Sequence, residues 1–125
     1  DGVHLGQDDM PIEIARNLLG EEHIIGKSTH SLEDLTKAQQ EECDYIGIGP
    51  VFASKTKSGI TPIGLDYLSE ISKASKLPCF AIGGINISNT SELISKGIKR
   101  IAVVDAIMNT QDPSSATRKI LRQLT

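Results

Sequence analysis

Short apolar runs rich in β-branched residues alternate along this chain with stretches in which apolar residues recur every three or four positions. Runs of the first kind are typical of buried strands, and stretches of the second kind are typical of amphipathic helices. Ser31 and Ser88 are predicted to cap helices and Asp112-Pro113 to begin the last one, and other prolines and glycines mark further element ends. The pattern predicts strands at 3–5, 23–26, 45–49, 79–82 and 100–104. It predicts helices at 12–19, 32–38, 65–75, 89–96 and 113–124, with a long loop over 50–63.

The strand–helix order repeats five times, and strands that are apolar throughout indicate a parallel sheet covered by helices. An open doubly wound sheet and a (β/α)₈ barrel share this order. The units are short and uniform, polar or glycine-rich motifs follow the strands as they do in barrels, and no G-x-G-x-x-G follows the first strand. We therefore favour an α/β fold of the TIM barrel family, with residues 1–125 forming a single partial barrel domain.

Five strand–helix units cannot close a barrel of eight strands, so the amino-terminal strands are expected to be absent from this chain. Both outer strands would then leave open edges, which invite pairing with another chain. We therefore expect a homo-oligomer that forms through the open sheet edges.

The chain has 125 residues, of which 38% are hydrophobic, and a formal net charge of −3 without any block of like charges. This composition is that of a globular domain and disfavours a nucleic-acid partner, because phosphate neutralisation needs clustered Lys and Arg. No apolar run has the ~20 residues of a membrane helix, and no signal peptide opens the chain. Cys43 and Cys79 are predicted to be buried thiols, so we expect a cytoplasmic protein without a membrane partner.

The glycine pair Gly83-Gly84 follows a buried strand and precedes a predicted helix. Glycines there let backbone N–H groups approach a ligand closely, and the helix start favours a phosphate. A plain tight turn explains the pair equally well. The next strand leads to Val104 and Asp105, and in barrels two adjacent loops of this kind often hold one phosphate. Asp105 would repel a phosphate unless it points away, and a helix-capping role is the simpler interpretation of its carboxylate.

The loop after the third strand places two hydroxyls and two ammonium groups close together, at Ser54, Lys55, Thr56 and Lys57. Such a loop could bind a phosphate or pyrophosphate through Lys57 with hydroxyl support. Taken alone, it is more simply a solvated loop.

Two carboxylates, Asp8 and Asp9, follow the first strand. Mg²⁺ is typically held by one or two carboxylates together with substrate phosphates, so this pair is a candidate metal site. The alternative is that both are helix-start carboxylates ahead of Pro11. The three histidines do not have metal-ligand spacing, and no nucleophilic triad or reactive cysteine motif is present.

Five motifs stand in order along the chain: DGVHLGQDD at 1–9, GKSTH at 26–30, DYIGIGPVF at 44–52, Thr56-Lys57 and AIGGI at 81–85. Together, in this order and with this spacing, they resemble thiamine phosphate synthases along the whole chain. The resemblance implies that the chain forms about strands four to eight of that family's (β/α)₈ barrel. It also implies a transferase that joins hydroxymethylpyrimidine diphosphate to thiazole phosphate, with Mg²⁺, and releases pyrophosphate.

The resemblance also implies roles for single residues on the pyrimidine side of the site. Asp9 matches the Mg²⁺-binding aspartate, and Ser28 and Lys57 match contacts to the pyrimidine diphosphate and are the expected catalytic residues. The family's reaction is dissociative, with pyrophosphate leaving before the thiazole nitrogen attacks the methylene cation. Such chemistry depends less on a general base than on neutralising the negative charge of the leaving pyrophosphate. Mg²⁺ and the Lys57 ammonium can supply the positive charge for this.

On the thiazole side, the resemblance implies a loop over the phosphate and a cradle beneath it. Two of these positions depart from the family pattern, since Ser54 stands for a more usual Thr and Asp105 for a more usual Ser. The residues implied are Ser54, Lys55, Thr56, Gly84, Val104 and Asp105.

The family's Gln/Arg/Lys strand and Asn-Asp metal site have no counterpart in this sequence, so we expect the chain alone to be weakly active or inactive. Two alternatives stay open at this point. One is a thiazole tautomerase-like paralogue, although Gln7-Asp8-Asp9 and Thr56-Lys57 favour the synthase. The other is a non-catalytic half-barrel that binds phosphate.

Overall fold

The computed structural model describes residues 1–54 and 59–125. Its described strands form one parallel sheet in the order β1-β2-β3-β4-β5, so each strand lies beside its sequence neighbour. This confirms the predicted parallel α/β fold. The strands are β1 (Gly2–Leu5), β2 (Ile24–Thr29), β3 (Tyr45–Ile48), β4 (Cys79–Ile82) and β5 (Ile101–Ala102). The helices are α1 (Ile12–Leu19), α2 (Leu32–Gln40), α3 (Leu65–Ala74), α4 (Thr90–Ser95), α5 (Asp105–Met108) and α6 (Pro113–Leu124).

Strand β2 is longer than the apolar run that predicted it, because polar residues extend it from 26 to 29. Two of these are buried on the helix side with their polar atoms paired. Lys27 Nζ donates to Gly6 O at 3.1 Å, and Thr29 Oγ1 donates to Gly47 O at 2.9 Å. Ser28 therefore lies within the strand and not in the loop after it.

The starts of α2 and α6 were predicted correctly from their capping side chains. Ser31 Oγ accepts from Asp34 N at 3.1 Å to begin α2, and Asp112 Oδ1 accepts from Ser115 N at 2.9 Å to begin α6. The predicted cap at Ser88 is wrong, because its hydroxyl bonds to Asn86 Oδ1 and α4 begins only at 90. Strand β5 is shorter than predicted, and the short helix α5 that follows it was missed.

The two faces of the sheet have different environments, because side chains alternate along each strand. Ile25, Ile46 and Ile48 point towards the helices and are fully buried in the apolar core. On the opposite face, Ile24 and Ile82 are 54% and 41% exposed. Parallel sheets usually have both faces covered, so the exposure of this second face is unusual.

The core contains a free thiol at Cys43, which burial holds in its neutral form by raising its pKa. Cys79 is also a free thiol and is half-buried. The prediction of a buried thiol is thus confirmed for Cys43, whereas Cys79 is only partly buried. Within residues 1–54 and 59–125, no helix has both the length and the apolar character needed to cross a membrane.

A partly exposed ion pair between Arg16 and Asp44 joins α1 to the start of two strands. Asp44 Oδ2 accepts from Arg16 Nη2 at 2.9 Å and from Ile25 N at 2.7 Å, and Arg16 also donates to the carbonyl of His23. The Arg16 guanidinium, followed by the Ile25 amide, lowers the pKa of the Asp44 carboxyl below its ordinary value.

We expect this contact to make the fold acid-sensitive. A pKa that is lower in the folded chain means that the contribution of Asp44 is present above its ordinary value of 3.8 and is lost as pH falls towards the folded value. Asp44→Asn should therefore flatten the decline of the unfolding free energy below pH 4, measured by urea unfolding. Glu22→Gln, an exposed carboxylate in the turn before β2, should leave the decline unchanged. Equal pH profiles for wild type and Asp44→Asn would contradict this.

Candidate functional site

The carboxyl ends of the parallel strands meet at one edge of the sheet, and most of the sequence-predicted site residues lie there. Asp9 follows β1, Ser28 lies near the end of β2, and Gly84 follows β4. Ser54 lies in the segment after β3. Lys55, Thr56 and Lys57 were predicted in that same loop and lie outside the described residues.

The turn after β1 fixes the carboxylate of Asp9. Its Oδ2 accepts from Gly6 N at 2.6 Å, and the carbonyl of Gly6 accepts from Lys27 Nζ. Lys27 is only 6% exposed, so its ammonium anchors the turn from the helix side. Across the described ranges, no three His, Cys, Asp or Glu side chains come together as a metal site. A cation bound at Asp9 would therefore take its other ligands from a substrate phosphate, from water or from outside these residues.

A hydrogen-bonded row of three side chains crosses the exposed face of the sheet from β3 through β1 to β2. The Tyr45 hydroxyl lies 3.0 Å from His4 Nδ1, and His4 Nε2 lies 3.0 Å from Ser28 Oγ. The backbone carbonyl of Ser28 accepts from Gln7 Nε2 at 2.6 Å. Desolvation is the largest cause that lowers the pKa of His4 below its ordinary value, which favours the neutral imidazole.

Glycines in β2 and β3 leave the space for this row. A Cβ at Gly26 would lie 2.1 Å from Tyr45 Cζ and 2.6 Å from His4 Nδ1, and one at Gly47 would lie 3.2 Å from His4 Cε1. Sequence reasoning missed His4 and Tyr45 as site residues. The available signal was the alternation along the strands, which puts His4, Ser28 and Tyr45 on the face opposite the buried isoleucines.

The segment after β3 lies across the end of β4. Val51 N donates to Ile82 O at 2.9 Å, and Phe52 N donates to Gly83 O at 3.1 Å. Gly84 has a φ of +64°, and a Cβ there would lie 2.4 Å from Ala53 O. The glycine is thus required by its backbone conformation and by close contact with this segment, and not by a tight turn alone.

Two asparagines brace the loop that contains Gly84. Asn89 Nδ2 donates to Gly84 O at 2.9 Å, and Asn89 Oδ1 accepts from Asn86 N at 2.8 Å. Asn86 Nδ2 also donates to Gly84 O, at 3.3 Å. Sequence reasoning missed this role, although two asparagines three residues apart after a glycine pair are typical of side-chain-stabilised turns.

The loops after β4 and β5 lie side by side. Ala81 pairs with Ile101 and Ile82 with Ala102, so Gly84 and Val104 each stand two residues beyond a paired position. Val104 is 55% exposed, and Asp105 begins α5. The helix-capping interpretation of Asp105 is wrong, because its carboxylate accepts from Asn109 Nδ2 along the same short helix, at 3.0 Å.

We expect Gly84→Ala to destabilise the fold through its contact with Ala53 O. The matched control is Gly97→Ala, because Gly97 also has a positive φ, +81°, and no atom lies within 4 Å of an added Cβ. Both variants carry the backbone penalty, so the difference isolates the steric contact and should be about 1–3 kcal/mol in unfolding free energy. Urea unfolding measures the unfolding free energy of both variants. Equal losses of unfolding free energy would show that the segment after β3 can move away from the added Cβ without destabilising the fold.

Comparison with known proteins identifies relatives along the whole chain. The family model for thiamine monophosphate synthase matches residues 1–107. A curated thiamine-phosphate synthase from Prochlorococcus marinus (strain MIT 9313) is 55% identical over 124 residues, 99% of this chain and 35% of that protein. The solved structure of thiamine phosphate pyrophosphorylase from Pyrococcus furiosus has a TM-score of 0.89 and 40% identity, covering 99% of this chain and 59% of that chain.

A 3-hexulose-6-phosphate synthase from Salmonella typhimurium is 18% identical with a TM-score of 0.73, over 99% of this chain and 61% of that chain, and it is similar in fold alone. The chain spans about 35% of the length of the curated relatives it matches. The part matched by the family model nevertheless contains all the described strands and the loops that carry the candidate site. The chain belongs to the thiamine monophosphate synthase family.

Proposed function

We propose that this chain supplies about strands four to eight of a (β/α)₈ barrel in a thiamine phosphate synthase. The described strands are consecutive and parallel, as five neighbouring barrel strands would be. The Pyrococcus furiosus structure superposes on 99% of this chain with only 59% of its own length. The exposed face that carries Ile24, Ile82 and His4 corresponds in this arrangement to the barrel interior, which further strands would cover.

The proposed activity is that of a transferase. Hydroxymethylpyrimidine diphosphate and thiazole phosphate would be joined to thiamine phosphate with release of pyrophosphate. The observation that carries this proposal is that Asp9, Ser28 and Gly84 lie at one edge of the sheet in a chain 55% identical to a thiamine-phosphate synthase. The names of the relatives favour the synthase over the tautomerase-like paralogue.

The residues present fit a Mg²⁺ ion that is shared with a substrate phosphate. Asp9 would hold the ion, since the turn at Gly6 keeps its carboxylate at the end of β1 and Mg²⁺ commonly takes only one or two protein carboxylates. When bound, the ion would neutralise charge on the pyrophosphate leaving group. The hydroxyl of Ser28 would orient the diphosphate, and Lys57 is proposed to add charge from the loop after β3.

The thiazole phosphate would lie against the adjacent loops after β4 and β5. Gly84 offers a backbone without a side chain, and Asn86 and Asn89 hold its carbonyl in place. Val104 and Asp105 would border the phosphate, and the resemblance to the family implies Ser54, Lys55 and Thr56 as further contacts to it. The Asp105 carboxylate accepts a hydrogen bond from Asn109, which follows α5. A cytoplasmic location and pairing of open sheet edges between two copies stay predictions.

Calorimetric titration of the folded chain with thiazole phosphate tests the proposal. Every residue proposed to hold this phosphate lies within the chain, so we expect binding by the wild type and its loss in Gly84→Val. Gly97→Val is the control, because its glycine also has a positive φ and lies outside the proposed cradle. Circular dichroism establishes that each variant is folded. A folded wild-type chain that does not bind thiazole phosphate would contradict the proposed cradle.

Turnover gives a second test with the opposite expectation. The family's Gln/Arg/Lys strand and Asn-Asp metal site have no counterpart in this chain, so we expect little thiamine phosphate from both substrates and Mg²⁺. Turnover comparable to an intact synthase would show that the site needs only the residues present here.

Asp105→Ser should leave the affinity for thiazole phosphate unchanged in the same calorimetric titration, because the wild-type carboxylate is hydrogen-bonded to Asn109.

A further inference from the structure

We propose that Tyr45, acting through His4, sets the direction in which the Ser28 hydroxyl donates its proton. In this arrangement Tyr45 O–H donates to His4 Nδ1, His4 Nε2–H donates to Ser28 Oγ, and the Ser28 proton points away from the imidazole towards a phosphate oxygen. Tyr45 and His4 would be positioning residues. The role of the phosphate rests on the proposed function, whereas the direction of the row does not.

The first step concerns the imidazole. His4 has one ring nitrogen at hydrogen-bond distance from Tyr45 and the other at hydrogen-bond distance from Ser28. A neutral imidazole carries one donor and one acceptor, so the direction of one bond fixes the direction of the other. Desolvation lowers the pKa of His4, which favours that neutral form, and the sequence of bonds along the row can therefore run in only two ways.

The second step concerns the chemistry of the two ends. A phenol is a stronger donor than an aliphatic alcohol, and its oxygen is a weaker acceptor because a lone pair is delocalised into the ring. An imidazole nitrogen is a good acceptor, so the bond from Tyr45 to Nδ1 is favoured over its reverse. His4 Nε2 must then carry the ring proton, and Ser28 Oγ accepts a hydrogen bond from Nε2–H.

The third step concerns what Ser28 presents to a ligand. In the reverse direction Ser28 would donate to His4 and turn only lone pairs towards an anion, which would repel it. In the proposed direction the hydroxyl keeps its proton for a phosphate oxygen, and hydrogen bonds to charged acceptors are the stronger kind. The bond from Gln7 Nε2 to the carbonyl of Ser28 holds the backbone beneath that hydroxyl.

The fourth step concerns the glycines of β2 and β3, which leave space for the rings of His4 and Tyr45. Gly26 pairs with His4 on one side and with Tyr45 on the other, and a Cβ there would collide with both rings. Gly47, which pairs with Ser28, leaves space beside the imidazole. The ring centroids of His4 and Tyr45 are 5.4 Å apart, and Phe80 lies edge-on to Tyr45 at the same centroid separation. These contacts fix the phenol relative to the imidazole.

Long-range ¹H–¹⁵N correlation spectra of the folded chain test the direction, since they show which ring nitrogen carries the proton. We expect the Nε2–H tautomer for His4, assigned by comparison with His4→Gln. In Tyr45→Phe the donor to Nδ1 is gone, and the Nδ1–H form should appear. Tyr67→Phe is the matched control, because Tyr67 is the other tyrosine and its hydroxyl accepts from Leu32 N on the helix side.

An Nδ1–H tautomer in the wild type, or a His4 spectrum unchanged by Tyr45→Phe, would overturn the proposal whatever the chain binds. Calorimetry with inorganic pyrophosphate and Mg²⁺ then tests the consequence. Tyr45→Phe should weaken binding about tenfold, and Tyr67→Phe should not. If the wild type fails to bind pyrophosphate, the residues present here do not suffice to bind it, and the His4 tautomer alone decides whether the proposed bond direction holds. If it binds and Tyr45→Phe binds equally well, the proposed control of Ser28 is wrong.

Discussion

The parallel register of β1, β2 and β3 is the constraint on which the rest of the site depends. Side chains alternate across a sheet, so the register decides which residues stand side by side on each face. Here it sets His4 beside Gly26 and Ser28 beside Gly47. A slip of one residue would turn His4 and Ser28 towards the helices and the buried isoleucines towards the exposed face. The same pairing thus builds the core and orients the polar row.

The second half of the site depends on a close backbone approach. The segment after β3 continues the hydrogen bonding of the sheet onto the end of β4, through Val51 and Phe52. That approach is possible because Gly83 and Gly84 have no Cβ at points where one would lie 2.6 Å or less from Pro50 or Ala53 atoms. The phosphate contact proposed at Gly84 would use the same bare backbone that this packing requires.

Buried polar residues explain why the sequence pattern predicted β2 to be too short. Lys27 and Thr29 interrupt an apolar run, and the strand was therefore predicted to end before them. In the structure each side chain donates a hydrogen bond to a backbone carbonyl, which offsets part of the cost of burying a polar group within a strand. The start of α4 was misplaced for a related reason. Asn86 and Asn89 satisfy the loop before the helix, and Ser88 bonds to Asn86 instead of capping.

The sequence by itself determined the alternation of strands and helices, the parallel sheet, the caps at Ser31 and Asp112, and membership of the family, because these depend on local pattern and on motifs read in order. The tertiary structure alone decided which distant side chains meet. Tyr45 and His4 are 41 residues apart, and their contact exists only once the register of three strands is set. The contact of Gly84 with Ala53 likewise needs two loops brought together by neighbouring strands. Sequence patterns record which face a residue occupies, whereas its partner depends on how the strands pair.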